Sequence, residues 1–206
     1  MPLKSRFTTR EISLLSLLSA LWAAFEIYLG GFLKIFKIPF SGTLLTFLAL
    51  IIIFSGRNSV PKRGSVIIMG FTTAFLKIIY LGGLAIYPII GILIEAVLVE
   101  LVLQKQSPTK PEYLLAGTVG LLWSFFHPFF AQGVLAGWGL LKVYVLVIER
   151  GTQFLGIEEQ FAWFVFAALI LIHFGLGLLA GSLGWKFSHI ILHRYQAVHL
   201  REQHNL

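Results

Sequence analysis

The chain has 206 residues, 57% of them hydrophobic and only 12% charged, with a mean hydropathy of +0.86; a soluble domain of this length needs more polar surface, so lipid is expected to be its main solvent. It has no cysteine and no aspartate, all nine acids being glutamate, which excludes disulfides, thiolate metal sites and chemistry built on paired aspartates around Mg²⁺. The net charge of +7 falls between apolar runs, a pattern of membrane topology rather than of nucleic-acid binding.

At roughly 20 residues per crossing, the chain holds about five to seven helices, in a single transmembrane domain spanning residues 1–206. Residues 1–11 carry Lys4, Arg6 and Arg10 and form the N-terminal flank. The apolar run that follows reaches Gly30 without a small-x-small cleavage site, so 12–29 reads as a retained first span rather than a signal peptide. Residues 30–37 form a short loop with Lys34 and Lys37, 38–56 an uncharged second span, and 57–63 (RNSVPKR) a basic turn. The apolar stretch 64–103 is about 60 Å long as a helix, twice the hydrocarbon thickness. Gly82-Gly83 divides it into spans at 64–81 and 84–103. A polar loop with Pro108 and Pro111 leads to a fifth span at 113–130. The longest connection, 132–160, contains an apolar piece at 143–148 that is too brief to cross and packs over the helix ends or dips into the bilayer. A last span at 161–185 precedes the tail, 187–206.

The expected fold is therefore all-α: a polytopic six-transmembrane-helix bundle with a longer outer connection between helices 5 and 6. With both termini cytoplasmic, eleven of the sixteen Lys and Arg residues fall on the cytoplasmic side. The other five are Lys34, Lys37, Lys77, Lys142 and Arg150, which fits the positive-inside rule.

Small residues let membrane helices approach closely. Ser16, Ala20 and Ala24 lie one turn apart on one face of the first span, the latter two forming AxxxA, with Trp22 on another face. Taken alone, such a motif is ordinary bundle packing. Together with the chain length, the six spans and the run LLSALWAAFEIYLGG, it resembles the substrate-binding S components of energy-coupling factor (ECF) transporters. The resemblance implies a non-enzymatic subunit that captures a small water-soluble vitamin or precursor near the outer surface. It also implies docking, through Ser16, Ala20 and Ala24, on a transmembrane scaffold driven by ATPase subunits. The chain has no Walker motif, so ATP hydrolysis would belong to those partners. No cofactor or metal and no nucleic-acid partner is expected. A self-sufficient small transporter or channel is the alternative, against which stands the lack of a visible inverted repeat. Ser124 precedes His127 by three residues, but nothing around them resembles a nucleophile motif.

Ionisable groups within spans are functional candidates by default. Glu26, Lys77 and His127 fall in the outer third of three different spans and can converge. Trp123 lies one turn from His127, and Tyr80, Tyr87 and Trp163 share that depth. With Glu95 near mid-membrane these eight residues form the candidate ligand site, suited to a planar polar ligand. The competing readings are a Glu26–Lys77 pair neutralising itself and an interfacial aromatic belt. Glu100 is placed to snorkel, and His173 reads as a packed core residue before a ligand group. Gln132, Trp138, Lys142 and Tyr144 can cap the pocket, and 30–39 can serve as its lid. In the tail, His189 and His193 at i, i+4, with His199 and His204, suit a helix on lipid headgroups better than a metal site.

Overall fold

A computed structural model describes residues 7–81, 86–135 and 137–204, with side chains as far as residue 187 apart from that of Glu159. The Gly82-Gly83 break and the side chains of the four tail histidines lie outside the described residues.

The described residues fold as helices without strands: α1 (Thr9–Ala24), α2 (Gly30–Ile35), α3 (Ser41–Ser59), α4 (Ser65–Leu81), α5 (Ile86–Val102), α6 (Lys110–Pro128), α7 (Leu140–Leu155) and α8 (Ala162–His204). Four helical stretches are long and apolar enough to cross a membrane: Thr9–Ile35, Ser41–Ser59, Lys110–Leu135 and Ala162–Phe187. The helices α4 and α5 have 17 residues each, or about 25 Å at 1.5 Å per residue.

Two expected loops are helical instead. The stretch expected as a loop at 30–37 continues the first span through a π-helical turn, Phe25–Leu29, into α2. The connection 132–160 opens with a second π-helical segment, Phe129–Leu135, and then forms α7. Pro128 has no amide hydrogen to give the helical ladder, so the register loosens immediately after it. The apolar piece at 143–148 is thus one part of a 16-residue amphipathic helix. Its Val143, Val147 and Ile148 bury against Val165, Leu169 and Phe125. Gly156, at φ 66°, ends the helix in the left-handed conformation that glycine adopts most readily.

One end of the bundle is tied by backbone caps. Thr8 and Glu11 form a capping box at the start of α1, and Thr109 and Glu112 form one at the start of α6. Glu100 on α5 accepts hydrogen bonds from the amides of Gly64 (2.7 Å) and Val66 (3.0 Å), so it caps α4 rather than snorkelling to the surface. Arg57, fully buried, donates to the carbonyls of Leu103 (2.8 Å) and Lys105 (2.6 Å), closing the far end of α5. Lys62 pairs with Glu11 at 2.7 Å, and Tyr113 bonds Asn58, at the same end.

The helices α6 and α8 pack backbone against backbone. A Cβ on Gly177 would sit 2.5 Å from the Thr118 Cα and 2.8 Å from the Gly117 carbonyl oxygen, and one on Gly181 would meet the Tyr113–Leu114 backbone. Gly177 and Gly181 are four apart, so backbone packs on backbone along a GxxxG seam. Gly175, two residues away, has open space around it. Gly177→Ala is expected to lower stability by about 1–3 kcal/mol, because backbone cannot yield as a side chain can. Gly175→Ala should stay within about 0.5 kcal/mol of the parent. Reversible denaturation of the two variants in detergent checks the contrast.

Candidate functional site

At the end of the bundle opposite the caps, two cavities adjoin. The smaller, about 180 Å³, is lined by Glu26, Lys77, Glu95, Trp123 and His127 among others. Five of the eight candidate ligand residues, from the first π turn, α4, α5 and α6, therefore meet at one space. Each arrives by a separate local cause. Glu26 is carried by the π turn Phe25–Leu29, and Lys77 lies three turns along α4 from the end that Glu100 caps. Gly91 gives α6 room: a Cβ there would stand 2.8 Å from the His127 Nε2.

Glu26 and Lys77 do neutralise each other. The Lys77 Nζ donates to the Glu26 Oε2 at 2.6 Å, with side chains only 5% and 11% exposed for lysine and glutamate. The pair still forms part of the cavity wall. The Trp123 indole donates to the Gly91 carbonyl at 3.0 Å, and the His127 Nε2 donates to the Tyr87 carbonyl at 3.0 Å. Both rings are thereby fixed to α5, in edge contact at 5.6 Å.

Glu95 is different. It is 4% exposed, and its Oε2 has only a long contact from the Thr46 hydroxyl, at 3.4 Å. Its Oε1 has no hydrogen-bond partner among the described residues. A buried carboxyl oxygen left unpaired costs about 1–3 kcal/mol. The cavity it lines holds roughly six water volumes, or a small ring.

Three candidates stand elsewhere. Tyr80 is exposed and meets Tyr28 edge-on at 5.7 Å. Tyr87 offers the cavity region only its carbonyl, to His127. Trp163 is 76% exposed and packs beside Tyr144. All three are exposed on the outside of the bundle. His173 is packed in the core, as expected: its Nδ1 donates to the Leu169 carbonyl at 2.7 Å, and its Nε2 hydrogen-bonds the Thr43 hydroxyl at 2.8 Å. On α1, Ala20 is exposed, Ser16 and Ala24 are half-buried, and Trp22 is buried on the inward face.

The larger cavity, about 840 Å³, was not foreseen from the sequence as a cavity. Its walls come from α2, the turn before α3, α6, α7 and α8, and include Lys34, Lys37, Arg150 and Gln132. It shares Lys34, Ser41, Gly42, Ser124 and Pro128 with the smaller one, so the two form adjoining chambers. Of the expected cap residues, Gln132 lines it. Lys142 instead lies over the Trp138 ring at 4.7 Å, and Tyr144 packs on Phe166. Of the expected lid, the turn after α2 does border the chamber, with Lys37 at φ 52° and Phe40 at φ 54°. A left-handed phenylalanine is a backbone outlier, held here by Phe154 and His173. One signal for this chamber was present in the chain. Val143, Leu146, Val147, Arg150, Gln153 and Phe154 recur with the spacing of one helix face, and all six line the cavity.

Comparison with protein-family models, with curated proteins and with solved structures returns no match for this chain.

The pairing of Glu26 with Lys77 generates a double-mutant test. Lys77→Met leaves a buried carboxylate alone and is expected to cost about 3–5 kcal/mol, of which the double variant Glu26→Gln/Lys77→Met recovers most. Unfolding of the single and double variants in detergent measures the coupling; additive losses would mean that the two groups do not depend on each other.

Proposed function

We propose that this chain is the membrane-embedded substrate-capture subunit of an ECF-type importer of a vitamin or vitamin precursor. In this reading it crosses the bilayer six times, with α4 and α5 completing the set, and the cavity end faces outward. Both termini are then cytoplasmic, and the basic turn and capped helix ends lie at the cytoplasmic face, as the positive-inside rule favours. The single observation that carries the reading is the smaller cavity. A largely apolar chamber into whose wall are set Glu26, Lys77 and a buried Glu95 with one unpartnered oxygen sits between the helices. Polar groups buried among apolar helices are expensive and mark ligand sites. A ligand N–H or O–H supplies the hydrogen bond that Glu95 lacks, while Trp123 and His127 offer faces and edges to a planar ring. The ligand enters through the larger chamber, and the turn carrying Lys37 and Phe40 closes behind it.

Docking on a scaffold uses the surface of α1 that carries Ala20. That surface is apolar and exposed around Leu17, Leu21 and Tyr28, and a small residue at its centre permits a close helix approach.

Two measurements test the proposal. Small molecules released from the purified chain are expected to include one compound in stoichiometric amount. Glu95→Gln should reduce its occupancy at least tenfold, which corresponds to about 1.4 kcal/mol. Ala20→Trp should abolish co-purification with a scaffold and ATPase subunits while the bound compound is retained. Transport by the chain alone in liposomes would instead support a self-sufficient carrier and defeat the capture-subunit reading.

A further inference from the structure

The two chambers differ in charge. The smaller holds the neutralised Glu26–Lys77 pair and the unpartnered Glu95, and shares Lys34 with the larger. The larger is bordered by Lys34 from α2, Lys37 from the turn that follows, and Arg150 from α7, and no glutamate is among its lining residues. None of these three cations makes an ion pair among the described residues, where the pairs formed are Lys62–Glu11, Lys77–Glu26 and Lys105–Glu112. Two segments more than a hundred residues apart in sequence, α2 with its following turn and α7, thus bring like charges around one space of about 840 Å³. Like charges gathered without a counter-charge repel, and an anion between them reverses the sign of that energy.

Other groups on the same wall have the same polarity preference. Phe40, Ser41 and Gly42 start the 19-residue α3 there, and no side chain caps that start. The positive end of the helix dipole is left open to the chamber. Gln132 and Gln153 add amide donors, and Phe125 and Phe154 add apolar wall. His173 offers nothing more, since both ring nitrogens are already bonded.

We infer that the larger chamber binds the carboxylate or phosphate group of a small aromatic or heterocyclic anion through Lys34, Lys37 and Arg150. This rests on the reading of the adjoining chambers as a nutrient site and adds the ligand's chemical class: negative at the end nearer α7, and a hydrogen-bond donor at the end nearer Glu95. It does not depend on scaffold docking. The same three cations could instead meet lipid phosphates, so the test separates a soluble anion from a headgroup.

The test uses the full chain in maltoside micelles, which contain no phosphate, and follows thermal unfolding with matched probes at about 10 mM, a concentration suited to weak fragment binding. The probes are benzoate and phenyl phosphate against their neutral counterparts, benzamide and benzyl alcohol. At least one of the anions should raise the unfolding midpoint and the neutral molecules should not. Lys37→Gln and Arg150→Gln, both at exposed positions, should each weaken the anion's apparent affinity at least fivefold, with the unliganded midpoint no lower than the parent's. Lys142→Gln, whose side chain lies over Trp138, should leave the affinity unchanged. Added salt should weaken the anion's effect, as for any exposed charge pairing. Equal shifts from charged and neutral probes, no shift from any probe, or full affinity in both glutamine variants overturns the inference. So does a shift from short-chain phosphatidylglycerol alone, which would assign the cations to lipid. Anion selectivity in a chain that never associates with a scaffold would defeat the importer reading and leave this inference standing.

Discussion

In hydrocarbon there is no water to satisfy a peptide group, so every helix end must find its partners within the protein or at the interface. Arg57 and Glu100 meet that constraint for the central hairpin. The guanidinium takes the last carbonyls at the end of α5, and the carboxylate takes the first amides of α4. Each is an ionic side chain buried to satisfy backbone, and together they fix how α4 and α5 stand along their length. Gly70 then abuts Ala96, and the register carries through to Lys77 and Glu95 at the far end. The position of the candidate site is thus set by caps at the opposite end of the same two helices.

The two helices that lead into the site from either side are interrupted just where they reach it. A π turn carries Glu26, and a second π segment follows His127-Pro128 and carries Gln132. An extra residue per turn changes which side chains face inward without ending the helix. The first interruption lets Glu26 meet Lys77, and the second brings Gln132 to the larger chamber. The turn with Lys37 and Phe40 in left-handed conformations stands between them, so the least regular backbone of the bundle is concentrated around the cavities.

The bundle therefore separates two jobs. The capped end and the glycine seam of α6 with α8 bring backbones together with little freedom left. At the cavity end a carboxyl oxygen on Glu95 lacks a hydrogen-bond partner and three cations border a chamber, while at the capped end Arg57 Nη1, Asn58 Nδ2 and Ser65 Oγ lack one among the described residues. Groups left unsatisfied in an otherwise closed structure are where a ligand gains most, since it removes an existing penalty as well as adding contacts.

Composition and hydropathy determined that the chain is helical and apolar enough for a membrane, because no other secondary structure with this pattern satisfies its own peptide groups in lipid. Depth along each span also picked out Glu26, Lys77, Glu95, Trp123 and His127, since a charged or polar group in an apolar run is visible without a structure. Tertiary structure alone decided which of these share a wall. Tyr80, Tyr87 and Trp163 were expected at the same depth but stand exposed on the outside of the bundle, and depth says nothing of rotation about a helix. It also decided that Glu100 and Arg57 serve helix ends, and that Lys34, Lys37 and Arg150 surround one chamber. Those roles depend on the register between segments dozens of residues apart, which packing sets and which no local pattern in the chain encodes.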